Sequence, residues 1–493
     1  MKRLLRMVLS RTFLILILLL LQIILLFVLI NYISQIGSWG TIFYAISILI
    51  IIYLITRNEN PAYKMSWIIP ILIFPLFGGL FYLIYRNRNF SKKVIQRELE
   101  IEKQREQYVK DIKNPKPFQD TVYLQQQGYP TYKQTKTDFL GSGELMFEKL
   151  LEDLKNAKKY IFMEFFIINK GFMWDTILDI LKEKAKAGLD VKIIYDDFGS
   201  SSLPYRYTKH LKKMGIDALN FNPMRIHLNF AMNYRDHRKI VVIDGNVGYT
   251  GGINIGDEYI NKIKPFGHWL DAGIRLEGEA VWSLVISFLE TYQFISHQEV
   301  DYLSYKSDLI VESDGYVAPF SDTPLDKELT TKNIFLSLIY SAKKSIYITT
   351  PYLIIDHELT TAFTFAAKSG IDIKIIIPYV PDKKIVFMVT ETYVPELIAA
   401  GAKVYRYEPG FIHSKMMIID GVKAVIGTAN FDFRSLYLHF ENTVYLDHTT
   451  SIQQMNAFIN ETLEQSVCVT QTGKRNLIYK LLQVIFRGFS SIM

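Results

Sequence analysis

Cysteine is nearly absent: the 493-residue chain holds one, Cys468. That excludes an intrachain disulfide framework and a cysteine-rich metal site, and it fits a reducing compartment. Acidic residues are outnumbered, 49 against 56 Lys and Arg, for a formal net charge of +7. The imbalance suits a partner that is itself anionic, a membrane surface or nucleic acid. No nucleic-acid module accompanies it, so lipid is the expected partner and nucleic acid is not. Charge of either sign is missing altogether from residues 12–33. That run is long enough to span a bilayer, and no small-residue cleavage site closes it, which excludes a cleaved signal peptide.

Two further apolar runs follow, 41–56, which Trp39 and Gly40 can lengthen, and 67–85, interrupted by Pro70, Pro75, Gly78 and Gly79. Lys2, Arg3, Arg6 and Arg11 precede the first run, while the connector 34–40 is uncharged and can cross. Arg57 and Lys64 follow the second run, and Arg86, Arg88, Lys92, Lys93 and Arg97 follow the third. Three crossings would put that last cluster outside. The expectation is therefore two transmembrane helices within residues 1–60, a cytoplasmic catalytic region, and a third stretch that is re-entrant or interfacial. Residues 61–135 also carry the mixed-charge segment 91–114, expected as a solvated connecting helix that Pro115 and Pro117 end.

What the chain does have is repetition. HRKIVVIDGNVGYTGGIN, from His237, is written again as HSKMMIIDGVKAVIGTAN, from His413. The matched positions are His237, Lys239, Asp244, Gly251, Gly252 and Asn254 against His413, Lys415, Asp420, Gly427, Thr428 and Asn430. The surroundings repeat too: AKKYIFMEFFI at Ala157 with AKKSIYITTPYLI at Ala342, and WLDAGIRLEG around Asp271 with FENTVYLDHT around Glu441. Each half reads as amphipathic helices alternating with short apolar strands, which predicts an α/β sandwich in each of two duplicated domains, 136–310 and 311–493. The second ends in an amphipathic helix. Leu477, Ile478, Leu481, Leu482, Ile485 and Phe489 share one face, while Lys474, Arg475, Lys480 and Arg487 lie towards the other. Such a helix either docks on the core or rests on lipid headgroups.

Two imidazoles in matched sets suit attack on a phosphodiester, one His neutral and nucleophilic, the other protonated and acidic. Lys239 and Lys415 supply positive charge, and the Asn254 and Asn430 amides can donate to non-bridging oxygens. With two lysines placed so, no metal and no other cofactor is called for. Each imidazole needs a carboxylate behind it to fix its tautomer. Asp244 and Asp420 each directly precede Gly and are expected to brace the motif turn.

On these motifs, on MEFFII and NFDFRS, and on the hydrophobic N-terminus, the chain resembles the bacterial cardiolipin synthases of the phospholipase D superfamily. The resemblance implies two phospholipase D-like domains meeting at a pseudo-twofold interface to form one active site. It points to Asp271 and Glu441 as the carboxylates behind the histidines, with His237 as nucleophile and His413 as acid/base. The implied reaction is reversible phosphatidyl transfer between two phosphatidylglycerol molecules, giving cardiolipin and glycerol through a phosphatidyl-histidine, at the cell membrane. A membrane phospholipase D releasing phosphatidic acid, or a transferase to another alcohol, is the alternative within the same chemistry; a non-enzymatic scaffold would be expected to have lost a motif His or Lys. Arg235, Arg434 and Ser435 are candidates for phosphate contact. Phe221, Met224, Leu228, Phe230, Tyr234, Phe411 and Ile412 are candidates to line a lipid-facing cleft, and His227 and His439 are expected to be structural or at the surface.

Overall fold

The computed structural model describes residue 24 and residues 37–86, 92–112, 115, 119–223, 233–312, 314–470 and 475–492. They fall in two compact units, an N-terminal one ending near Arg88 and a larger one from Asn89 to Ser491. The first expected span, 12–33, lies outside the described residues apart from Ile24. Among the described residues no helix is long and apolar enough to cross a membrane.

In the first unit, α1 (Gly37–Thr56) carries the second apolar run, followed by α2 (Pro61–Ile73) and α3 (Pro75–Arg86). The third apolar run is thus two helices broken at Phe74. The first spans roughly 20 Å at 1.5 Å per residue, well short of a ~30 Å hydrocarbon core. They fold back on each other, with Trp67 against Tyr82 at 5.5 Å between ring centroids. Gly78 permits the close approach, since a Cβ there would lie 2.5 Å from the Pro70 carbonyl oxygen. A loop from Asn60, whose side chain accepts from the Ala62 amide, starts α2.

The second unit opens with α4 (Lys92–Val109) and α5 (Gln119–Gln126). The first half then runs β1 (Thr135–Leu140), α6 (Gly143–Asn156), β2 (Tyr160–Phe165), α7 (Phe172–Lys186), β3 (Asp190–Asp196), α8 (Tyr207–Lys212) and β4 (Asp217–Phe221). It continues through β5 (Arg235–Asp236), β6 (Lys239–Ile243), β7 (Val247–Gly251), β8 (His268–Leu270), β9 (Gly273–Gly278) and the buried helix α9 (Val281–Ser296). The second half repeats the order. It has β10 (Tyr316–Asp322), α10 (Thr330–Ser341), β11 (Ser345–Thr349), β12 (Leu353–Ile354), α11 (His357–Lys368), β13 (Asp372–Pro378), α12 (Lys384–Ala400) and β14 (Lys403–Tyr407). Then come β15 (Gly410–Ile412), β16 (Met416–Ile419), β17 (Lys423–Gly427), β18 (Phe431–Asp432), α13 (Phe433–Tyr437), β19 (His439–Asp447), α14 (Thr450–Glu464), β20 (Ser466–Cys468) and α15 (Leu477–Gly488).

The two sheets have one topology. The first is ordered β1-β9-β7-β6-β2-β3-β4, and the second β10-β19-β17-β16-β11-β13-β14, with β20 added at its edge. In each, the motif strand is central, antiparallel to its neighbours, beside a parallel pair made by helical crossovers. That position explains why IVVI and MMII are apolar throughout. Ile240 and Val242 face a core shared with Met416 and Ile418, while Val241 and Ile243 face the helices of their own half. Both faces are covered, so alternation disappears.

The mixed-charge segment corrects the expectation of a solvated helix. One face of α4 is buried through Glu98, Ile101, Arg105 and Val109, and Arg105 donates to both oxygens of Glu290 on α9 at 2.8 and 2.9 Å. Arg97 reaches the Gln293 carbonyl at 2.9 Å. Charge at helical spacing here supports a buried bidentate pair, and the helix belongs to the larger unit.

Candidate active site

The motif aspartates lie at the far end of the motif strands. Asp244 and Asp420 sit past the last residues of β6 and β16 with φ of 56° and 54°, each opening a turn completed by Gly245 and Gly421, also at positive φ. The Asp244 carboxylate accepts from the amides of Lys158, Lys159 and Tyr160 at 2.7–2.9 Å. Asp420 does the same for Lys343, Lys344 and Ser345 at 2.7–2.9 Å. Five residues of strand put these groups roughly 16 Å from the lysines. They tie the turn to the first amides of β2 and β11, and they are not among the groups that meet at the histidines.

The histidines meet because each motif's leading strand pairs with the other half. β5 runs parallel to the start of β19, and β15 runs parallel to β8. The His237 amide donates to Phe440 O at 2.9 Å, and the His413 amide to Leu270 O at 2.7 Å. The carboxylates cross over accordingly. His237 Nδ1 lies 3.0 and 2.9 Å from the two oxygens of Glu441, a second-half residue, and His413 Nδ1 lies 2.6 Å from Asp271 Oδ2, a first-half residue. Among the described residues neither Nε2 has a hydrogen-bond partner, so these are the ring atoms left for a substrate. Lys239 Nζ donates to His237 O at 2.6 Å, and Lys415 Nζ to His413 O, which leaves further N–H groups on each ammonium.

The electrostatics follow from burial. His237, His413, both lysines and both carboxylates are buried. Burial pushes His413 down to about 4 and His237 well below the usual imidazole range, against the opposing pull of the carboxylates. Burial would raise Glu441 and Asp271, but the imidazoles beside them hold both below the ordinary range. Burial brings Lys239 down to about 8 and, with Lys239 repelling it, Lys415 down to about 7. Glu441 and Asp271 offset part of that cost for both amines, and a bound phosphate group would add further negative charge beside them.

Other expected residues take different places. Asn254 Oδ1 accepts from the Ile167 amide at 3.1 Å and its Nδ2 donates to Tyr259 OH at 2.8 Å, so it braces a loop and a ring beside His413 and keeps one N–H further. Asn430 Oδ1 is buried without a partner among the described residues. Arg235 donates to Asn222 O at 3.1 Å and lies 3.5 Å from Asp196, and Ser435 Oγ accepts from the Asn430 amide at 3.0 Å, which leaves its own O–H to donate. The Arg434 side chain makes no hydrogen bond or ion pair with any described residue, and burial lowers its guanidinium. Phe221, Tyr234, Phe411 and Ile412 are core rather than cleft wall. Met224, Leu228, Phe230 and His227 lie outside the described residues.

His439 corrects a further expectation. It is nearly buried, its ring centroid is 5.3 Å from that of His237, and its Nδ1 is 3.6 Å from Glu441 Oε1. Both of its ring nitrogens lack hydrogen-bond partners among the described residues. His237, His439 and Glu441 each offer a ligand atom within 4.8 Å of the others, so the trio could also hold a metal ion. The signal in the sequence was the i, i+2 spacing to Glu441, which puts both on one face of a strand. Trp269 has the same spacing to Asp271 and lies 5.2 Å from His413.

Comparison with known proteins gives concordant results. The family described as cardiolipin synthase, PLD-like domain matches residues 150–264 and 335–463, and the phospholipase D-nuclease N-terminal family matches residues 42–87. Cardiolipin synthase 2 of Bacillus anthracis is 38% identical over 452 residues, 89% of this chain and 88% of that protein. An uncharacterized protein of Streptococcus mutans serotype c is 39% identical over 453 residues, 89% of this chain and 98% of its own. The crystal structure of phosphatidylserine synthase from Haemophilus influenzae Rd KW20 superposes with a TM-score of 0.57 at 16% identity, covering 76% of this chain and 98% of that one, which speaks to the fold.

Proposed function

The chain belongs to the cardiolipin synthase family of the phospholipase D superfamily, and from that premise we propose that it joins two phosphatidylglycerol molecules into cardiolipin with release of glycerol. One phosphodiester is exchanged for another, so the reaction is reversible and consumes no nucleotide. The observation that carries the mechanism is the crossed pairing of each imidazole with the other half's carboxylate. It fixes both Nδ1 atoms and leaves both Nε2 atoms for substrate.

His237 Nε2 attacks the phosphorus of the first phosphatidylglycerol. The bond from phosphorus to the headgroup glycerol oxygen breaks, and His413 Nε2–H gives that oxygen its proton. The terminal hydroxyl of the second phosphatidylglycerol then passes its proton to His413 while its oxygen attacks phosphorus, and the P–N bond to His237 breaks. Glu441 and Asp271 offset the charge that develops on the rings. Lys239, Lys415 and Arg434 supply cations to the non-bridging oxygens. His237 takes the attack by resemblance to the superfamily; a trapped phosphatidyl group mapped to His413 would reverse the two roles.

The catalytic unit works at the cytoplasmic face of a bacterial membrane, tethered by two N-terminal spans. The uncharged run 12–33 and the basic clusters that flank the apolar runs support that placement. The test is product analysis of the purified chain in vesicles with labelled phosphatidylglycerol as the only lipid. Cardiolipin and glycerol in equal amounts are expected; phosphatidic acid as sole product would make the chain a hydrolase.

A further inference from the structure

Helix α15 is attached by its polar side. Its start is capped by Asn476, which accepts from the Tyr479 amide at 2.8 Å. Tyr479 OH and Arg475 then donate to Glu391 on α12 at 2.7 and 2.6 Å. Gln483 donates to Met388 O at 3.2 Å, and Arg487 to Thr392 O at 3.1 Å. Tyr479, Gln483 and Arg487 recur every four residues, so they form a single stripe. Glu391 is buried and also accepts from Arg406 at 3.0 Å, making it the fixed point of the attachment.

The opposite stripe is apolar and faces outward. Leu477, Ile478, Leu481, Val484 and Ile485 are 83%, 70%, 59%, 70% and 44% exposed, and no residue of the helix is buried. A helix packed on a globular core has the reverse arrangement. Rotation to hide these side chains would break the hydrogen bonds that Tyr479, Gln483 and Arg487 make to α12. The exposed face is therefore held outward by the fold.

Charge and size choose the occupant. Residues 474–493 contain Lys474, Arg475, Lys480 and Arg487 and no acidic residue. A helix of this length offers a footprint of roughly 18 by 10 Å, about 180 Å² against the ~800 Å² per partner of a stable protein interface. We propose that α15 is an interfacial helix, seating the catalytic unit on an anionic phospholipid surface with its apolar stripe among the upper acyl chains and the exposed Lys480 at the phosphates.

The test uses the full chain with Cys468→Ser and one new cysteine, either Leu481→Cys on the apolar stripe or Glu152→Cys on α6 as a water-facing reference. Each is labelled with an environment-sensitive fluorophore and reconstituted in phosphatidylglycerol vesicles with or without brominated acyl chains. Bromolipid is expected to quench the label at 481 several-fold more than the label at 152. Equal quenching at the two sites overturns the proposal, as does energy transfer between copies labelled at 481 without quenching, which would assign the face to self-association. A second arm is Leu481→Glu with Ile485→Glu, expected to keep the wild-type unfolding temperature in detergent and to lose about tenfold in turnover on vesicles but not in mixed micelles. Equal loss in both media also overturns it. The fluorescence reads position whatever the enzyme makes, so its outcome is separable from that of the product analysis.

Discussion

The ground around His237 is charged, and the equivalent ground around His413 is not. Before and between the motif residues the first half has Arg235, Asp236 and Arg238, with Glu164 on the neighbouring strand. Arg238 lies 3.7 Å from Glu164, bonds Thr291 Oγ1 at 2.7 Å, and donates its amide to Asp236 at 3.3 Å. Burial raises both Glu164 and Asp236, the charge of Asp236 raises Glu164 further, and the single guanidinium of Arg238 opposes both shifts. The second half has Phe411, Ile412 and Ser414 at those positions and Thr349 in place of Glu164. There a hydroxyl pair, Ser414 to Thr349 at 2.8 Å, replaces the ion cluster. The lysine hydrogen bond to its own motif carbonyl is nonetheless the same in both halves. The shared features, the central strand and the aspartate brace, therefore set the His-Lys geometry, and the flanks are free to differ. A second asymmetry lies behind the rings. Thr428 donates to Glu441, whereas its counterpart Gly252 leaves room for Asp271, since a Cβ there would lie 2.1 Å from Asp271 Oδ1.

The largest test of this comparison asks whether the halves are one catalyst. His237→Ala and His413→Ala should each lower turnover of labelled phosphatidylglycerol by at least about 10⁴-fold, and the double variant little further. Measurable activity in either single variant would mean that one half suffices. Next come the crossed carboxylates. Glu441→Gln should impair the chemistry of His237 and Asp271→Asn that of His413, each by about 10³- to 10⁴-fold in kcat with a smaller change in KM. Trapping of the phosphatidyl group should persist, with slow release, in the variant that weakens only the acid/base.

The flanks give smaller, unequal effects. Arg238→Met leaves two buried carboxyls without their cation and should cost about 3–5 kcal/mol in a denaturant titration, against about 1 kcal/mol for Ser414→Ala. Equal losses would show that the ion cluster is as dispensable as a hydroxyl pair. The smallest effect is in pH. Lys415 at about 7 and Lys239 at about 8 both lie below the usual lysine value. The folded chain then binds fewer protons than the unfolded chain from about pH 7 to about 10.5, so this contribution to stability grows as pH rises. Activity should move the other way, with kcat/KM falling roughly tenfold between pH 7 and 9 as the phosphate-facing cations are lost. Lys415→Arg should remove the earlier part of that fall.

The repeat made the motif strands, their Asp-Gly turns and the carboxylates at Asp271 and Glu441 legible, because each is a local pattern written twice. The crossing was not legible. Aligning the halves gives a residue's place within its own half and is silent on which half it serves. His439 was missed for a related reason, since its counterpart is Trp269 and repetition hides whatever the copies do not share. In α4 the mixed charge that reads as solvation includes Arg105, which is buried against Glu290 on a helix 185 residues away. In α15 the amphipathic pattern was plain, but which face docks depended on Glu391, which the segment itself does not contain.

The crossed carboxylates also set a timetable. Glu441 is made 204 residues after His237, and His413 is made 142 residues after Asp271. At about 5–20 residues per second on the ribosome, the nascent first half waits roughly 10–40 s with its histidine unsupported. A chain halted anywhere in that interval carries a complete first motif without the carboxylate that holds its histidine.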